Sequence, residues 1–349
     1  MTTIYKIAQK ARVSIGTVDR VIHERGRVSK ATTEKVQRII REFNYRPSVY
    51  ARGLALSRTF CFGVLMPHPE QDGGYWALPE VGIKRALDEL KVYGVRIRRF
   101  FYDKYSHDSF RKACRTVLDS KSTVDGLLIA PVLSEDAETF LRDIPPSLPY
   151  VFIDSYVPKA RCLSFIGQNS FQSGVLSAKL MLLCVRSPGP VAVIRILPMD
   201  YHIEDRINGF RSHLQKYGVN PIVVYDADCR QGERIFQSVT QTILTEHPGL
   251  TGIFVPHASV GQVAQYLQEQ GLTAKVHLIG YDLTQENRLH LQSGILDFVI
   301  NQQPEMQGYR GIQALYRHTV LREEIAKESI LPIDIVTREN LDSYSGAVV

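Results

Sequence analysis

Residues 191–227 read VAVIRILPMDYHIEDRINGFRSHLQKYGVNPIVVYDA. The runs at its two ends, VAVIRIL and PIVVYDA, are apolar and have the length of strands, whereas the amphipathic segment Ile203–Lys216 between them has the length of a helix. A strand, a helix and a second strand in this order are typical of a parallel βαβ unit. The stretch therefore predicts a parallel sheet with helices packed on its faces.

The same alternation extends over the chain from Thr59 onward. Eight apolar runs, each followed by an amphipathic segment, fall into two sets of four: CFGVLMP, VRIRRFF, GLLIAP and YVFIDS, then VAVIRIL, PIVVYDA, GIFVP and VHLIGYD. We therefore predict the α/β fold class, with two doubly wound lobes of parallel sheet. The predicted crossover between the lobes lies near Cys162–Gly167, and Ile295–Asn301 and Ile333–Thr337 are predicted to be return crossings.

The chain before Thr59 has a different charge. Thirteen basic and four acidic residues give residues 1–58 a net charge of +9, which leaves −3 for residues 59–349. A concentrated positive field on a small domain favours nucleic acid as a partner, and a solvated basic face is the alternative. The predicted boundaries are 1–46 for a helical head, 47–58 for a hinge and 59–340 for a two-lobed domain, whose first lobe comprises about 59–162 and 293–322 and whose second comprises about 163–292 and 323–340.

Composition argues against several classes of protein. The chain contains no run of 18 or more apolar residues, the length that a membrane-spanning helix needs, and its first residues lack the apolar core of a signal peptide. Its five cysteines lie far apart and form neither a CxxC pair nor a zinc-like cluster with histidine. These features predict a cytoplasmic protein without a metal site or a cofactor.

Three short helices are predicted in the head, at about Ile4–Lys10, Ile15–His23 and Lys30–Phe43. Ser14 and Ser29 directly precede the second and third helices, where a hydroxyl can accept from the free N–H groups of the first turn. The short break between the first two helices is the spacing of a helix-turn-helix, which lays its second helix in the major groove of DNA.

One face of the second helix is not needed for the core: Ile15, Gly16, Thr17, Asp19 and Arg20. Gly16 lowers helix stability by about 1 kcal/mol relative to alanine, which a helix tolerates where another backbone must come close. Arg20 lies one turn after Gly16, and an arginine there can read guanine through two hydrogen bonds. Hydroxyl contacts to phosphates are predicted for Ser14, Thr17, Ser29, Thr32 and Tyr45.

The head resembles the lactose-repressor (LacI) family of bacterial regulators. The matching pieces are IYKIAQKARVS, the GTVxRV core, RVSxxT, the NYRP turn and ARxLA, which together cover residues 3–56. The resemblance implies that Ile15, Gly16 and Arg20 read bases in the major groove and that Leu54 enters the minor groove. Asp19 departs from the small hydroxyl residue most often found at its position, and a carboxylate there repels a phosphate or accepts from a cytosine amino group.

A hinge of about two helical turns is predicted after Pro47. Isolated helices this short are marginal in water, and Gly53 weakens this one further. Ala51 and Ala55 are small and four residues apart, so two copies of the segment can pack closely while Leu54 points away and kinks the duplex. We expect the segment to become helical when a homodimer binds a near-palindromic DNA operator, and a plain tether is the alternative.

Polar and aromatic side chains follow the predicted strands. Ligands bind beyond the carboxyl ends of strands in such sheets, so two lobes face to face define a cleft. Aromatic, carboxylate, amide and guanidinium groups together suit a sugar or another polyol, whereas Arg206 can instead bind a sugar acid or a phosphate. The predicted effector contacts are Trp76, Asn169, Arg206, His257, Asp282 and Gln302, and the further candidates are His68, Tyr75, Tyr102, Asp103, Pro131, Asp154 and Gln168.

Residues 60–337 are similar to the periplasmic-binding-protein-like sensor of the same family, on the segments FIGQNSFQSG, DRINGF, GYDLT and VINQQPEMQGYRG. The resemblance implies that Asn169, Arg206, Asp282 and Gln302 lie in the effector pocket. His257 departs from the amide-bearing residue that is more common after its strand. A helix-capping role is the alternative for Asp154 and Asp282.

Together these features predict a transcription regulator, with repression as the expected action, that pairs as a homodimer and responds to a sugar, a polyol or a sugar acid. An enzyme on the same fold is the competing class, but the chain contains no GxGxxG after a strand, no GxxxxGK[ST] and no GxSxG. A non-specific architectural DNA binder is the second alternative, for which the two-lobed domain is oversized.

Overall fold

The computed structural model describes residues 4–22, 28–43, 59–120, 123–185, 189–219, 221–232, 234–273 and 275–347. The chain divides into two compact units, residues 1–59 with 92–94 and residues 60–91 with 95–349. The predicted hinge, with Ala51 and Leu54, and the predicted phosphate contact Tyr45 lie outside the described residues.

The described part of the first unit forms the helices α1 (Ile4–Ala11), α2 (Ile15–Ile22) and α3 (Lys30–Glu42). The Thr17 amide donates to Ser14 Oγ at 3.1 Å. The Thr32 amide donates to Ser29 Oγ at 3.3 Å, so both predicted serine caps are present. One small apolar core joins the three helices, and its buried members are Ile7, Ala8, Ala11, Val18, Val21, Val36 and Ile39. The helix bounds agree with the predicted ones to within one residue.

The second unit is built on two six-stranded sheets. Its strands are β1 (Phe60–Pro67), β2 (Val95–Tyr102), β3 (Gly126–Ile129), β4 (Tyr150–Ile153), β5 (Ser164–Gly167), β6 (Val191–Leu197), β7 (Ile222–Asp228), β8 (Gly252–Phe254), β9 (His277–Tyr281), β10 (Phe298–Asn301), β11 (Glu328–Ile330) and β12 (Asp334–Val336). The strand orders are β11-β5-β4-β3-β1-β2 and β12-β10-β9-β8-β6-β7. Paired strands run parallel, apart from the antiparallel pair of β10 and β12. The predicted fold class is confirmed.

The lobe assignment of three strands differs from the prediction. β5 and β11 belong to the first sheet and β10 to the second, whereas the predicted boundaries placed 163–292 and 323–340 in the second lobe and 293–322 in the first. Ser164 pairs with Val151 of β4, so the chain adds β5 to the first sheet before it crosses to the second lobe. Apolar character does not identify the lobe of these strands, and only the pairing partner of each strand reveals the lobe to which it belongs.

Helices cover both faces of the sheets, and none of those in the described residues is long and apolar enough to span a membrane. They are α4 (Ala77–Leu90), α5 (His107–Asp119), α6 (Ser134–Asp143), α7 (Ser170–Cys184), α8 (Tyr201–Lys216), α9 (Ile235–Glu246), α10 (Val260–Glu269), α11 (Gln285–Gln292) and α12 (Pro304–Thr319), with a one-turn segment at Gln71–Gly74. Successive residues of β6 enter opposite cores, since Ala192 and Ile194 belong to one apolar cluster and Val191 and Val193 to another. Burial on both faces explains why this strand is almost continuously apolar.

A close contact between α7 and α8 fixes part of the second lobe. A Cβ atom on Gly174 would lie 2.0 Å from the carbonyl oxygen of Arg206, and one on Gly209 would lie 2.0 Å from that of Phe171. Only glycine allows the two backbones to approach this closely. The pair therefore positions α8, the helix that carries Arg206.

The three crossings between the lobes are tied together by one side chain. Gln168 follows β5, and its Nε2 donates to the carbonyl oxygen of Asn301 at 3.0 Å and to that of Pro332 at 2.7 Å. Asn301 ends β10 and Pro332 lies between β11 and β12. A single buried amide thus contacts all three crossings, which are the connections about which the two lobes can move.

Candidate functional site

The carboxyl ends of the strands in both lobes meet a group of buried polar side chains. Each member follows a strand end, and less than a tenth of each is exposed. We refer to this group as the cleft residues, and its members are Asp72, Trp76, Lys104, Asp154, Asp200, His202, Arg206, His257, Asp282 and Gln302.

Arg206 lies in the second lobe and is only 1% exposed. Its Nη1 donates to the carbonyl oxygen of Pro256 at 3.0 Å, and its Nη2 donates to Gln302 Oε1 at 2.7 Å. The guanidinium lies 4.0 Å from the centre of the Tyr281 ring, a favourable cation–π distance. Its Nε has no hydrogen-bond partner among the described residues, so this donor is available to a ligand.

Asp282 follows β9, and the side-chain amide of Gln302 links it to Arg206. Gln302 accepts from Arg206 and donates through Nε2 to Asp282 Oδ2 at 3.0 Å. The other carboxylate oxygen, Oδ1, has no partner within the described part of the chain. Burial raises the pKa of Asp282 to about 7, although the guanidinium of Arg206 acts in the opposite direction. Asp282 therefore offers an acceptor whose charge changes near neutral pH.

In the first lobe, the Asp72 carboxylate is fully paired. It accepts from Trp76 Nε1 at 2.8 Å, from Lys104 Nζ at 2.7 Å and from the Tyr105 hydroxyl. Burial opposes the charge of Asp72, but Lys104 and His257 outweigh it and hold the pKa of Asp72 well below its usual value. The wall that carries Trp76 is thus held by a buried ion pair.

Lys104 also links the two lobes. Its Nζ lies 3.0 Å from Nε2 of His257, which follows β8 of the second lobe. Burial and the neighbouring ammonium lower the pKa of His257, although Asp72 acts in the opposite direction. His257 Nδ1 accepts from the Ser259 amide at 3.2 Å, and Nε2 lies 3.0 Å from Lys104 Nζ and 3.4 Å from Asp72 Oδ2.

A second set of contacts between the lobes surrounds Asp154 and Asp200. Asp154 Oδ1 accepts from the Tyr75 hydroxyl at 2.6 Å. Asp200 accepts from the Ser155 hydroxyl and so joins the loops after β4 and β6. His202 stands between the carboxylates, with Nε2 3.9 Å from Asp154 Oδ2 and Nδ1 3.0 Å from Asp200 Oδ1. The second oxygen of Asp200, Oδ2, has no partner among the described residues.

Five of the six predicted effector contacts are cleft residues, namely Trp76, Arg206, His257, Asp282 and Gln302. Of the further candidates, Tyr75 and Asp154 join them, and Tyr102 donates to the carbonyl oxygen of Ala130 at 2.6 Å. Gln168 lies at the crossings instead. His68, Asp103 and Pro131 take no part in the hydrogen bonds of the cleft residues within the described chain: His68 packs on Phe101, Asp103 accepts from Gln71, and Pro131 is buried in the loop after β3.

Asn169 is not among the cleft residues, which corrects its predicted placement. Its side chain is exposed, and its Oδ1 accepts from the Gln172 amide at 2.9 Å as the N-cap of α7. It borders a separate surface depression of about 840 Å³ that also includes Lys159 and Lys327. An asparagine one residue before a helix satisfies the free amides of the first turn, and that local role accounts for its position.

Sequence reasoning missed four of the cleft residues: Asp72, Lys104, Asp200 and His202. Asp200 and His202 directly follow β6, so the rule applied to the other strand ends would have found them. Asp72 and Lys104 lie in loops after β1 and β2, and they become partners only when the parallel pairing of these strands is known.

In the head, the predicted base-reading residues lie on the surface of the first unit. Ile15, Gly16 and Arg20 are exposed, and 46% of the Ile15 side chain is accessible despite its apolar character. The hydroxyl pairs Ser14–Thr17 and Ser29–Thr32 are bonded at 2.9 and 2.8 Å. The prediction for the side chain of Asp19 lies outside what the structure describes.

Two family models match the chain, one on each unit. The model of the bacterial regulatory proteins of the lacI family matches residues 3–48. The model of the periplasmic binding protein domain matches residues 62–322, which is most of the chain. The resemblance drawn from the sequence is thus confirmed on both parts.

Relatives of the chain include regulators and sugar-binding proteins. The ribose operon repressor of Halalkalibacterium halodurans is 27% identical over 81% of this chain and 80% of its own length. Catabolite control protein A of Staphylococcus xylosus is 48% identical, but only over 19% of this chain and 20% of its own. A candidate LacI transcriptional regulator from Bacteroides fragilis is 28% identical, with a TM-score of 0.77 over 82% of this chain and 100% of that one. The glucose-galactose binding protein GanP of Geobacillus stearothermophilus, 22% identical, shares the fold with a TM-score of 0.71 over 82% of this chain and 99% of its own.

Proposed function

Because the chain belongs to the periplasmic binding protein domain family and carries a lacI-type DNA-binding domain at residues 3–48, we propose that it is a sugar-responsive transcription regulator. In this proposal the head binds operator DNA, the cleft binds the effector without catalysis, and the regulator acts as a repressor in the cytoplasm, where the chromosome lies. The similarity to a ribose operon repressor and the fold shared with a glucose-galactose binding protein support this proposal.

The observation that carries the proposal is the presence of unpartnered polar atoms among the buried cleft residues. Arg206 Nε and Asp282 Oδ1 have no hydrogen-bond partner within the described chain. Each such buried group costs about 1–3 kcal/mol, so the site favours a ligand that supplies both donors and acceptors. Hydroxyl groups do both, and the C–H side of a sugar can pack on the neighbouring Trp76 ring.

We propose that the exposed face of α2 contacts base edges through Ile15, Gly16 and Arg20. The hydroxyls of Ser14, Thr17, Ser29 and Thr32 are proposed to contact phosphates, which set the register of the head on the duplex. Two copies of the chain supply the two heads that a near-palindromic operator requires. The contributions of Asp19, Tyr45, Ala51 and Leu54 remain predictions.

The lobes provide the coupling between effector and operator. An effector that contacts Asp154 from one lobe and Asp282 from the other stabilises one arrangement of the lobes about the three crossings that Gln168 joins. Operator affinity then changes by the coupling free energy, about 1–3 kcal/mol in typical cases, and effector affinity changes by the same factor.

A gel-shift assay with genomic fragments and a panel of sugars tests the proposal. We expect one fragment to be bound selectively and one sugar to alter that binding. Arg206→Met should keep operator binding but weaken the effector response roughly 10- to 100-fold, because charged hydrogen bonds are lost. Arg230→Met is the matched control, since Arg230 is exposed and bonded only to Asp228 among the described residues. Binding without fragment preference, or an undiminished response in Arg206→Met, would contradict the proposal.

A further inference from the structure

The charge balance of the cleft narrows the effector class. Among the described cleft residues, the carboxylates outnumber the permanent cations by two. The carboxylates are Asp72, Asp154, Asp200 and Asp282, and the cations are Lys104 and Arg206. Buried charges are unfavourable unless a charge of opposite sign compensates them. The carboxylates exceed the cations even when Asp282 is protonated, as it partly is near its pKa of about 7, so the cleft favours an additional cation and disfavours an additional anion.

The two cations already have partners. Lys104 bonds to Asp72 and to His257. Arg206 donates one N–H from each Nη atom to Pro256 and Gln302, and its Nε has no partner among the described residues. The remaining N–H groups can bond to a ligand, but the carboxylates around them oppose an added negative charge. Charge therefore disfavours the sugar acid or phosphate that the sequence left open.

The unpartnered acceptors, by contrast, are carboxylate oxygens. Asp282 Oδ1 and Asp200 Oδ2 are buried and have no donor within the described residues. Asp154, Asp200 and His202 each place a polar atom within 4.8 Å of the others. The N–H bonds of an ammonium group are tetrahedral, so two oxygens that accept from it at about 2.8 Å lie about 4.6 Å apart. One ammonium group can therefore bond to both carboxylates.

We infer that the effector is a polyol that carries a protonated amine, as an amino sugar does, and that its ammonium group binds beside His202, where it contacts Asp154 and the unpartnered Oδ2 of Asp200. The inference rests on the proposed function of the cleft. Asp154 belongs to the first lobe and Asp200 to the second, so an ammonium bonded to both holds the lobes together. The sugar hydroxyls contact Asp282 Oδ1 and Arg206 Nε. The amine is thus the part of the ligand that contacts both lobes and stabilises their closed arrangement.

The sole tryptophan of the chain gives a direct readout of the cleft. Trp76 is 1% exposed and donates to Asp72, so its fluorescence responds to ligands that enter or close the site. The full-length protein is titrated with glucosamine, galactosamine and mannosamine. Each is compared with its parent hexose, its N-acetyl derivative and its uronic acid, at a pH where the amine is protonated. We expect one amine to bind at least roughly tenfold more tightly than its parent, because charge-assisted bonds replace neutral ones, with weaker binding of the N-acetyl and acid forms.

Charge-neutral variants test which carboxylates cause the preference for the amine. Asp154→Asn and Asp200→Asn should remove the preference for the amine over the parent hexose. Asp226→Asn should keep it, since Asp226 is exposed on β7 and bonded to Arg195 outside the cleft. Binding that EDTA abolishes would assign the three-residue cluster to a metal ion and overturn the inference.

The outcomes also separate this inference from the proposed function. A parent hexose or uronic acid that binds at least as tightly as the amine, and that alters operator binding, overturns the inference while the regulator stands. If none of the probes changes either the Trp76 signal or operator binding, both are contradicted. An amine preference that survives in Asp154→Asn and Asp200→Asn also overturns the assignment to these carboxylates.

Discussion

The two walls of the cleft differ in how completely their polar groups are paired. On the first-lobe wall, Asp72 accepts from Trp76, Lys104 and Tyr105. On the second-lobe wall, Arg206 and Asp282 each keep an atom without a partner among the described residues. Both walls are buried to the same degree, so burial alone does not identify a binding surface.

This difference in hydrogen-bond pairing indicates that the two walls have different roles. A saturated network is rigid and gains nothing from a ligand, whereas an unsaturated one gains the hydrogen bonds that it lacks. We infer that the first wall holds Trp76 and reaches across to His257, and that the second wall recognises the effector. Asp154, which lies on the first lobe yet faces His202 and Asp200, is the exception that lets the effector bridge both walls.

Breaking the saturated wall should have the largest effect on folding. Lys104→Met leaves the buried Asp72 carboxylate without its cation, and we expect the free energy of unfolding to fall by about 3–5 kcal/mol. Urea unfolding measures the change. The double variant Asp72→Asn/Lys104→Met should recover much of the loss, because it removes the unpaired charge. An equal loss in the single and double variants would show that the ion pair does not hold this wall.

The unsaturated wall should reveal itself through pH. Burial raises the pKa of Asp282 to about 7, above its value of about 4 in an unfolded chain. Between these values the folded protein keeps a proton that the unfolded chain has released, so the contribution of Asp282 to stability is largest below about pH 4, falls as the pH rises and levels off above about pH 7. The full shift corresponds to about 4 kcal/mol.

Asp282→Asn should remove this decline, which urea unfolding at a series of pH values can measure. Asp72 and Asp200 have lowered pKa values, so their contributions change at more acidic pH. The lowered pKa of His257 and the raised pKa values of Glu286 and Glu305 act inside this pH window in both proteins, so the difference between the two profiles reports Asp282. Parallel pH profiles of the wild type and the variant would mean that Asp282 is not the unsatisfied acid of the second wall.

The same contrast explains what the sequence could and could not predict. Arg206, Asp282 and Gln302 follow strand ends in recognisable segments, so both the strand-end rule and the family resemblance reach them. Lys104 and Asp72 are 32 residues apart in loops, and only the register of β1 against β2 brings them together. The lobe of β5, β10 and β11 depends likewise on pairing partners, which periodicity does not encode.

The smallest expected effect concerns Asn169, which the sequence predicted to contact the effector and which caps the start of α7 in the structure. Asn169→Ala should cost about 0.5–2 kcal/mol of stability through the lost cap of α7, and the affinity for the sugar that alters operator binding should stay unchanged. Ser106→Ala, which removes the cap of α5, is the matched control, and Asn169→Asp should restore stability because aspartate caps equally well. Thermal unfolding and Trp76 fluorescence separate the two quantities. A tenfold loss of sugar affinity in Asn169→Ala but not in Ser106→Ala would mean that the recognising wall extends to the start of α7, and that pairing of a side chain with its own helix does not exclude it from the effector site.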